Sequence, residues 1–145
     1  MATNVKNFFS EEQIKLINAC IIKAELGNTG EIRLHVEANC EDDPVKRATV
    51  LFHRLHMHKT KYRNAVLFYL AVNHKKLAVV GDKAIHEKVS DEFWHKVKDH
   101  VISRFKEAKY AEGLCEGIEM TGEMFSKYFK GDTKNQLPDE ISFGN

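Results

Sequence analysis

Apolar residues at Ile14, Ile17, Ile21 and Ala24 recur at three- and four-residue intervals, the spacing that gathers side chains on one face of a helix. Ser10 and Gln13 stand at the spacing of a capping box, with Phe8 and Phe9 just before them, so the first helix is predicted to start at Ser10; Gly27 ends the pattern. Beyond the turn residues Asn28, Thr29 and Gly30 the period becomes two. Ile32, Leu34 and Val36 alternate with Arg33, His35 and Glu37, which predicts a strand. Asp43 followed by Pro44 opens a second helix, with Val45, Ala48, Leu51, Phe52 and Leu55 on its buried side.

The near-continuous apolar run AVLFYLAV predicts a strand covered on both faces. A tight turn at Asn73 and His74 leads into KKLAVVG, making an antiparallel hairpin. Ser90 with Asp91 and Glu92 starts a helix carrying Phe93, Val97, Val101 and Phe105. A last helix runs from about Lys109 to Phe129, where Gly113 and Gly117 leave room for a neighbouring element. With a right-handed crossover joining the first two strands, these elements predict an α/β fold, a three-layer α/β/α sandwich with a small mixed sheet and helices on both faces.

Composition narrows the function classes. The 145 residues fit a single domain, read as residues 1–130 followed by a polar C-terminal tail over 131–145 in which Ile141 and Phe143 are an apolar pair able to dock on the sheet or on a protein partner. Lys and Arg number 22 against 21 Asp and Glu, so no global field draws nucleic acid or anionic lipid to the chain. No apolar run approaches the roughly 20 residues of a membrane span and no signal peptide is evident, which predicts a cytoplasmic protein without membrane contact. The three cysteines are odd in number and widely spaced, as reduced thiols are.

The segments NTGEIRLHVE, RATVLFHRLHMHKTKYRNAVLFYLAV, KKLAVVGDKAIHEKVSDEFW and FKEAKYAEGLCEGI, in that order, resemble the TPM domain. The anchors of the resemblance are Thr29 and Gly30 before the first strand, Asn64 before the second, Gly81 after the third, and Phe105, Lys106 and Gly113; it covers about residues 28–130, and the tail NQLPDEISFGN resembles a bacterial subgroup of short, free-standing members. Ala65 and Ala84 stand where many relatives have glycine. The resemblance implies the α/β sandwich and a divalent-metal site, with phosphatase activity as a weaker implication.

The residues themselves offer two candidate sites. An antiparallel hairpin and a parallel first strand bring Thr29, Gly30, Glu31, Arg63, Asn64, Gly81 and Asp82 to one end of the sheet. Asp82, Glu31 and Asn64, joined by Glu87, are hard oxygen donors of the kind that hold Ca²⁺ or Mg²⁺, with Arg63 placed to receive an anion. The plainer alternative is that Asp82 and Asn64 only cap and fix turns. The second candidate, at the opposite end, is Glu37, Glu41, Asp42 and Asp43, where Asp43 also suits a helix cap.

Other chemistries are less well supplied. His53, His56 and His58 with Cys40 would make a zinc set only if their ring nitrogens converged, and histidines at a helix C-terminus are favourable without a metal. A cysteine phosphatase needs an arginine one loop beyond its thiolate, and Lys46 stands at the matching place after Cys40, among acids. The readings in competition are therefore a divalent-cation-binding or interaction module, a metal-assisted phosphomonoesterase using an open cation near Asp82, and a purely structural adaptor.

Overall fold

A computed structural model describes residues 5–131 and 141–144. Most of the polar tail lies outside the described residues. Helix α1 (Glu11–Ala24) begins at the predicted box, in which Ser10 Oγ accepts from the Gln13 amide and Gln13 Oε1 accepts from the Ser10 amide. Strand β1 (Glu31–Glu37), helix α2 (Pro44–Arg54), strands β2 (Ala65–Ala71) and β3 (Lys76–Gly81), a single turn α3 (Lys83–His86), helices α4 (Asp91–Phe105) and α5 (Tyr110–Tyr128), and a two-residue strand β4 (Ser142–Phe143) follow.

The sheet order is β3-β2-β1-β4. Strand β1 runs parallel to β2 in the register Glu31–Ala65, and β2 pairs antiparallel with β3 in the register Val66–Gly81, so the sheet is mixed as the crossover and hairpin require. Every residue of β2 is buried, since helices cover both faces. Ile32, Leu34, Val36, Val66, Phe68 and Leu70 meet α1, α4 and α5, while Ala65, Leu67, Tyr69 and Ala71 meet α2. The chain is thus a three-layer α/β/α sandwich.

Two local expectations are revised and one left open is decided. The hairpin is closed by the four residues 72–75 rather than by a tight pair, because no glycine supplies the positive φ of a two-residue turn; Lys75 adopts φ 50 instead. Val45, expected on the inner side of α2, is 48% exposed, because the first turn of the helix reaches past the sheet toward the open edge of β3. Arg47 turns toward the sheet instead. The C-terminal apolar pair docks on the sheet: Ile141 is buried and Ser142–Phe143 pair in parallel with His35 and Val36.

Close approach explains the glycines of α5 and of the turn before β1. A Cβ on Gly117 would lie 2.6 Å from Val101 Cγ2 and one on Gly113 would lie 2.8 Å from Arg104 Cβ, so these glycines let α4 and α5 pack together. At Gly30 the added atom would fall 2.2 Å from the ring of the fully buried Phe125.

Because α2 covers the second face of the sheet, the polar half of β1 is enclosed too. His35 is 5% and Glu37 2% exposed. A buried charge needs partners, and Glu37 has them: Arg47 Nε and Nη2 donate to its two oxygens at 2.9 and 3.2 Å. His35 Nδ1 lies 2.7 Å from Ser142 Oγ, its Nε2 lies 3.5 Å from Glu37 Oε1, and its ring stacks on Tyr69 at 6.3 Å. Burial, the largest influence, moves the His35 pKa down; Glu37 opposes the shift, and Arg33 and Arg47 add to it.

Two measurements check this packing. Gly30→Ala should lower the stability by about 3 kcal/mol in urea denaturation, because neither the strand start nor the Phe125 ring can yield, and a loss below about 0.5 kcal/mol would mean that the ring is free to move. For His35 the folded pKa lies below the ordinary 6.5, so the unfolded chain binds the proton first. Stability should fall as the pH drops below about 6.5 and level off below the folded value, and His35→Gln should flatten that part of the urea midpoint profile. An unchanged slope in the variant would place the titration elsewhere.

Candidate functional site

The turns that open β1, open β2 and close β3 meet at one end of the sheet. Thr29 N–H donates to the Phe129 carbonyl, Asn64 Nδ2 donates to Thr29 Oγ1 at 2.9 Å, and the Asp82 amide donates to the Ala65 carbonyl at 2.9 Å. Glu31, on β1, and Asp82, just past the end of β3, therefore flank Ala65 at one end of the sheet, on the face that α2 covers. Glu31 is 1% and Asp82 7% exposed. Asn64 is fully buried and its Oδ1 makes no hydrogen bond. Four of the predicted residues, Glu31, Arg63, Asn64 and Asp82, are thus gathered here, whereas Glu87 is exposed at the far end of α3.

Asp82 already carries two duties. Its carboxylate accepts from the Lys83 amide at 2.7 Å as the cap of α3, and Arg63 grips it as a fork, with Nε and Nη2 donating at 2.8 and 3.0 Å. Arg63 adopts φ 52, the left-handed conformation that returns its side chain toward Asp82 while the chain enters β2. Its proximity to the carboxylate raises the guanidinium pKa further above its ordinary value. The arginine expected to receive an anion is engaged by the carboxylate expected to receive a cation.

The second acidic group is arranged otherwise. Glu37 is closed off by Arg47, Asp43 caps α2 by accepting from the Val45 amide, and Asp42 Oδ1 accepts from the Asp43 amide. Lys76 Nζ donates to the carbonyls of Cys40 and Asp42 at 2.9 and 3.3 Å, a cation supplied by the chain itself. A cleft of about 620 Å³ opens there between Glu37, Glu41, Asp42, Arg47 and Arg54. Tyr69 beneath it is fully buried, its hydroxyl makes no hydrogen bond, and burial foremost pushes its pKa up.

The histidine group does not gather into a metal set. The rings of His53 and His58 lie 4.7 Å apart, but His53 Nδ1 is held at 3.0 Å from the Thr49 carbonyl, and Cys40 lies at the other end of the sheet beside His74 and Lys76. Among the described residues no group of three or more His, Cys, Asp or Glu is placed to hold a metal ion. A site at Asp82 would have to draw on Asn64 and backbone oxygens in addition to its two carboxylates.

Sequence reasoning missed Arg47, His35 and Tyr69 as one cluster. Only the helical period could have signalled Arg47, which stands one position before the inward Ala48 and four before Leu51. His35 and Tyr69 share a register position on adjacent strands, and that pairing became legible once the two strands were aligned.

The geometry can be set beside known proteins. No curated protein matches the sequence. The NMR structure of the BA42 protein from the psychrophilic bacterium Bizionia argentinensis is similar at 38% identity, with 99% of this chain and 100% of that chain covered and a TM-score of 0.89. The N-terminal domain of the cg2496 protein from Corynebacterium glutamicum has the same fold at 13% identity, with 91% of this chain and 84% of that chain covered and a TM-score of 0.68. The N-terminal domain of a protein from P. gingivalis does so at 15% identity, with 87% and 83% covered and a TM-score of 0.71. The TPM domain matches residues 3–124, which is most of the sequence, and the chain belongs to the TPM domain family.

Proposed function

We propose that this TPM domain is a binding module that takes up a hard divalent cation, Ca²⁺ or Mg²⁺, at the sheet end formed by Glu31, Asn64 and Asp82. The observation that carries the reading is the pair of buried carboxylates flanking Ala65, with the fully buried Asn64 beside it. Two carboxylates, an amide oxygen and nearby turn carbonyls are an oxygen set suited to a hard cation that keeps some of its water. Glu87, exposed beyond α3, adds an outer contact through such a water.

Arg63 sets the terms of uptake. Its guanidinium occupies Asp82 while the cation is absent, and with its side chain 48% exposed it can leave for solvent at small cost. The cation replaces a charge-assisted fork by direct coordination, so the fold is never left with an unpaired buried carboxylate. Arg47 differs: it is 29% exposed over a carboxylate that is 2% exposed, and that pair stays closed.

Titration of the metal-stripped chain with Ca²⁺ and Mg²⁺, followed by amide NMR, tests it. Saturable shifts should centre on Thr29, Glu31, Asn64 and Asp82. Asp82→Asn should weaken binding about tenfold or more, and Arg63→Gln should strengthen it about threefold by removing the resident competitor, with circular dichroism confirming that both variants fold. Shifts confined to Glu37–Asp43, or none that saturate, would contradict the assignment.

A further inference from the structure

The open edge of the sheet suggests a second role. At the other edge β1 is partly covered by β4, but among the described residues β3 has no strand beyond it. The Asp82 amide bonding the Ala65 carbonyl marks that pair as hydrogen-bonded. Alternation along the antiparallel ladder makes Leu67–Val80 and Tyr69–Ala78 hydrogen-bonded pairs as well, and it turns the N–H and C=O groups of Leu77, Val79 and Gly81 away from β2. Among the described residues none of these groups bonds a loop or helix backbone. Charges and prolines usually guard such an edge, and here the middle of the strand, Leu77–Gly81, contains neither.

The edge lies at the floor of a cleft of about 360 Å³, walled on one side by Val45 and Thr49 of α2 and on the other by Trp94, His95 and Lys98 of α4. Val45 is 48% exposed, an apolar side chain with no cover. Trp94 is 9% exposed, and its buried indole N–H makes no hydrogen bond. A Cβ on Gly81 would come within 3.2 Å of the indole Cζ2, so the bare backbone of Gly81 is what lets the ring lie against the end of the strand.

We infer that β3 accepts an extended, acid-flanked peptide segment of a partner protein as a fifth strand. Backbone pairing to Val79 and Gly81 would supply register, an aliphatic side chain would fill the space between Val45 and Trp94, and the indole N–H would gain a peptide carbonyl. The rim sets Lys98 against the acid Asp91 and adds the ring N–H groups of His86 and His95, so a carboxylate flank of the peptide meets hydrogen-bond donors there. A second copy of the chain is disfavoured because its own α2 and α4, which wall its β3 in the same way, would meet these walls before the strands came within bonding distance.

The test uses the full chain, isotope-labelled, and a short capped peptide of alternating valine and threonine with glutamate at both ends. Saturable shifts are expected at Val79, Val80, Gly81 and the Trp94 indole N–H, with cross-strand contacts to Val79. Val79→Pro should weaken binding about tenfold or more yet leave the β2 ladder intact, since the Val79 N–H faces away from β2. The same peptide N-methylated at alternate residues should fail in the same way against the unaltered protein, which keeps the test decisive if the proline variant does not fold. Equal binding by the methylated peptide, shifts elsewhere or none up to about 1 mM would overturn the inference. So would a concentration-dependent dimer that Val79→Pro abolishes, because the occupant would then be a second copy.

Discussion

Burial of both faces of β2 is the constraint on which the rest of the structure depends. Seven consecutive enclosed residues require helices on each side of the sheet, and the parallel neighbour β1 is enclosed with them. Strand β1, however, is only half apolar. Its second face carries Glu31, Arg33, His35 and Glu37 into a layer closed by α2, where an ionised carboxylate without a partner would cost several kcal/mol. Much of the polar architecture follows from that conflict. Arg47 rises from α2 to fork Glu37, Ser142 arrives on β4 to meet His35, and Arg63 folds back in a left-handed conformation to hold Asp82.

The two arginine forks answer the same need with different exposure. Arg47 is the more covered of the two, and its partner Glu37 is hidden beneath α2, with Lys76 filling the adjacent carbonyl cage. Arg63 stands half in solvent at the end of the sheet, where three turns leave an amide oxygen of Asn64 buried without a bond. A site able to exchange its counter-ion needs this combination of a buried carboxylate and a partner that water can readily solvate. The proposed cation site and the closed Glu37 cluster are in this sense two outcomes of one packing problem.

Patterns that need only neighbouring residues were legible in the sequence: the Ser10 capping box, the alternation of β1, the Asp43 and Pro44 helix start, and the double coverage of β2. So was the meeting of Glu31, Asn64, Arg63 and Asp82, because strand direction alone decides which turns share an end. The partners of the carboxylates were not legible. Asp82 and Arg63 are 19 residues apart and each, read alone, suggests a ligand of its own, although charge complementarity at one turn cluster favours their pairing. Arg47 and Glu37 meet only when the rotation of α2 over the sheet is known, and the outward turn of Val45 is the other consequence of that rotation. Strand β4 has two residues, too few for any period to register.

The central claim is that a divalent cation and Arg63 compete for Asp82, and the Arg63 Nε–H resonance reports on it most directly. Held to Asp82 at 2.8 Å, this proton should be distinct and slow to exchange in metal-stripped protein. As Ca²⁺ is added it should move toward the position of a solvated arginine, saturating in step with the side-chain amide of Asn64. A resonance that stays in place through the titration, while the cation binds elsewhere or not at all, would contradict the account.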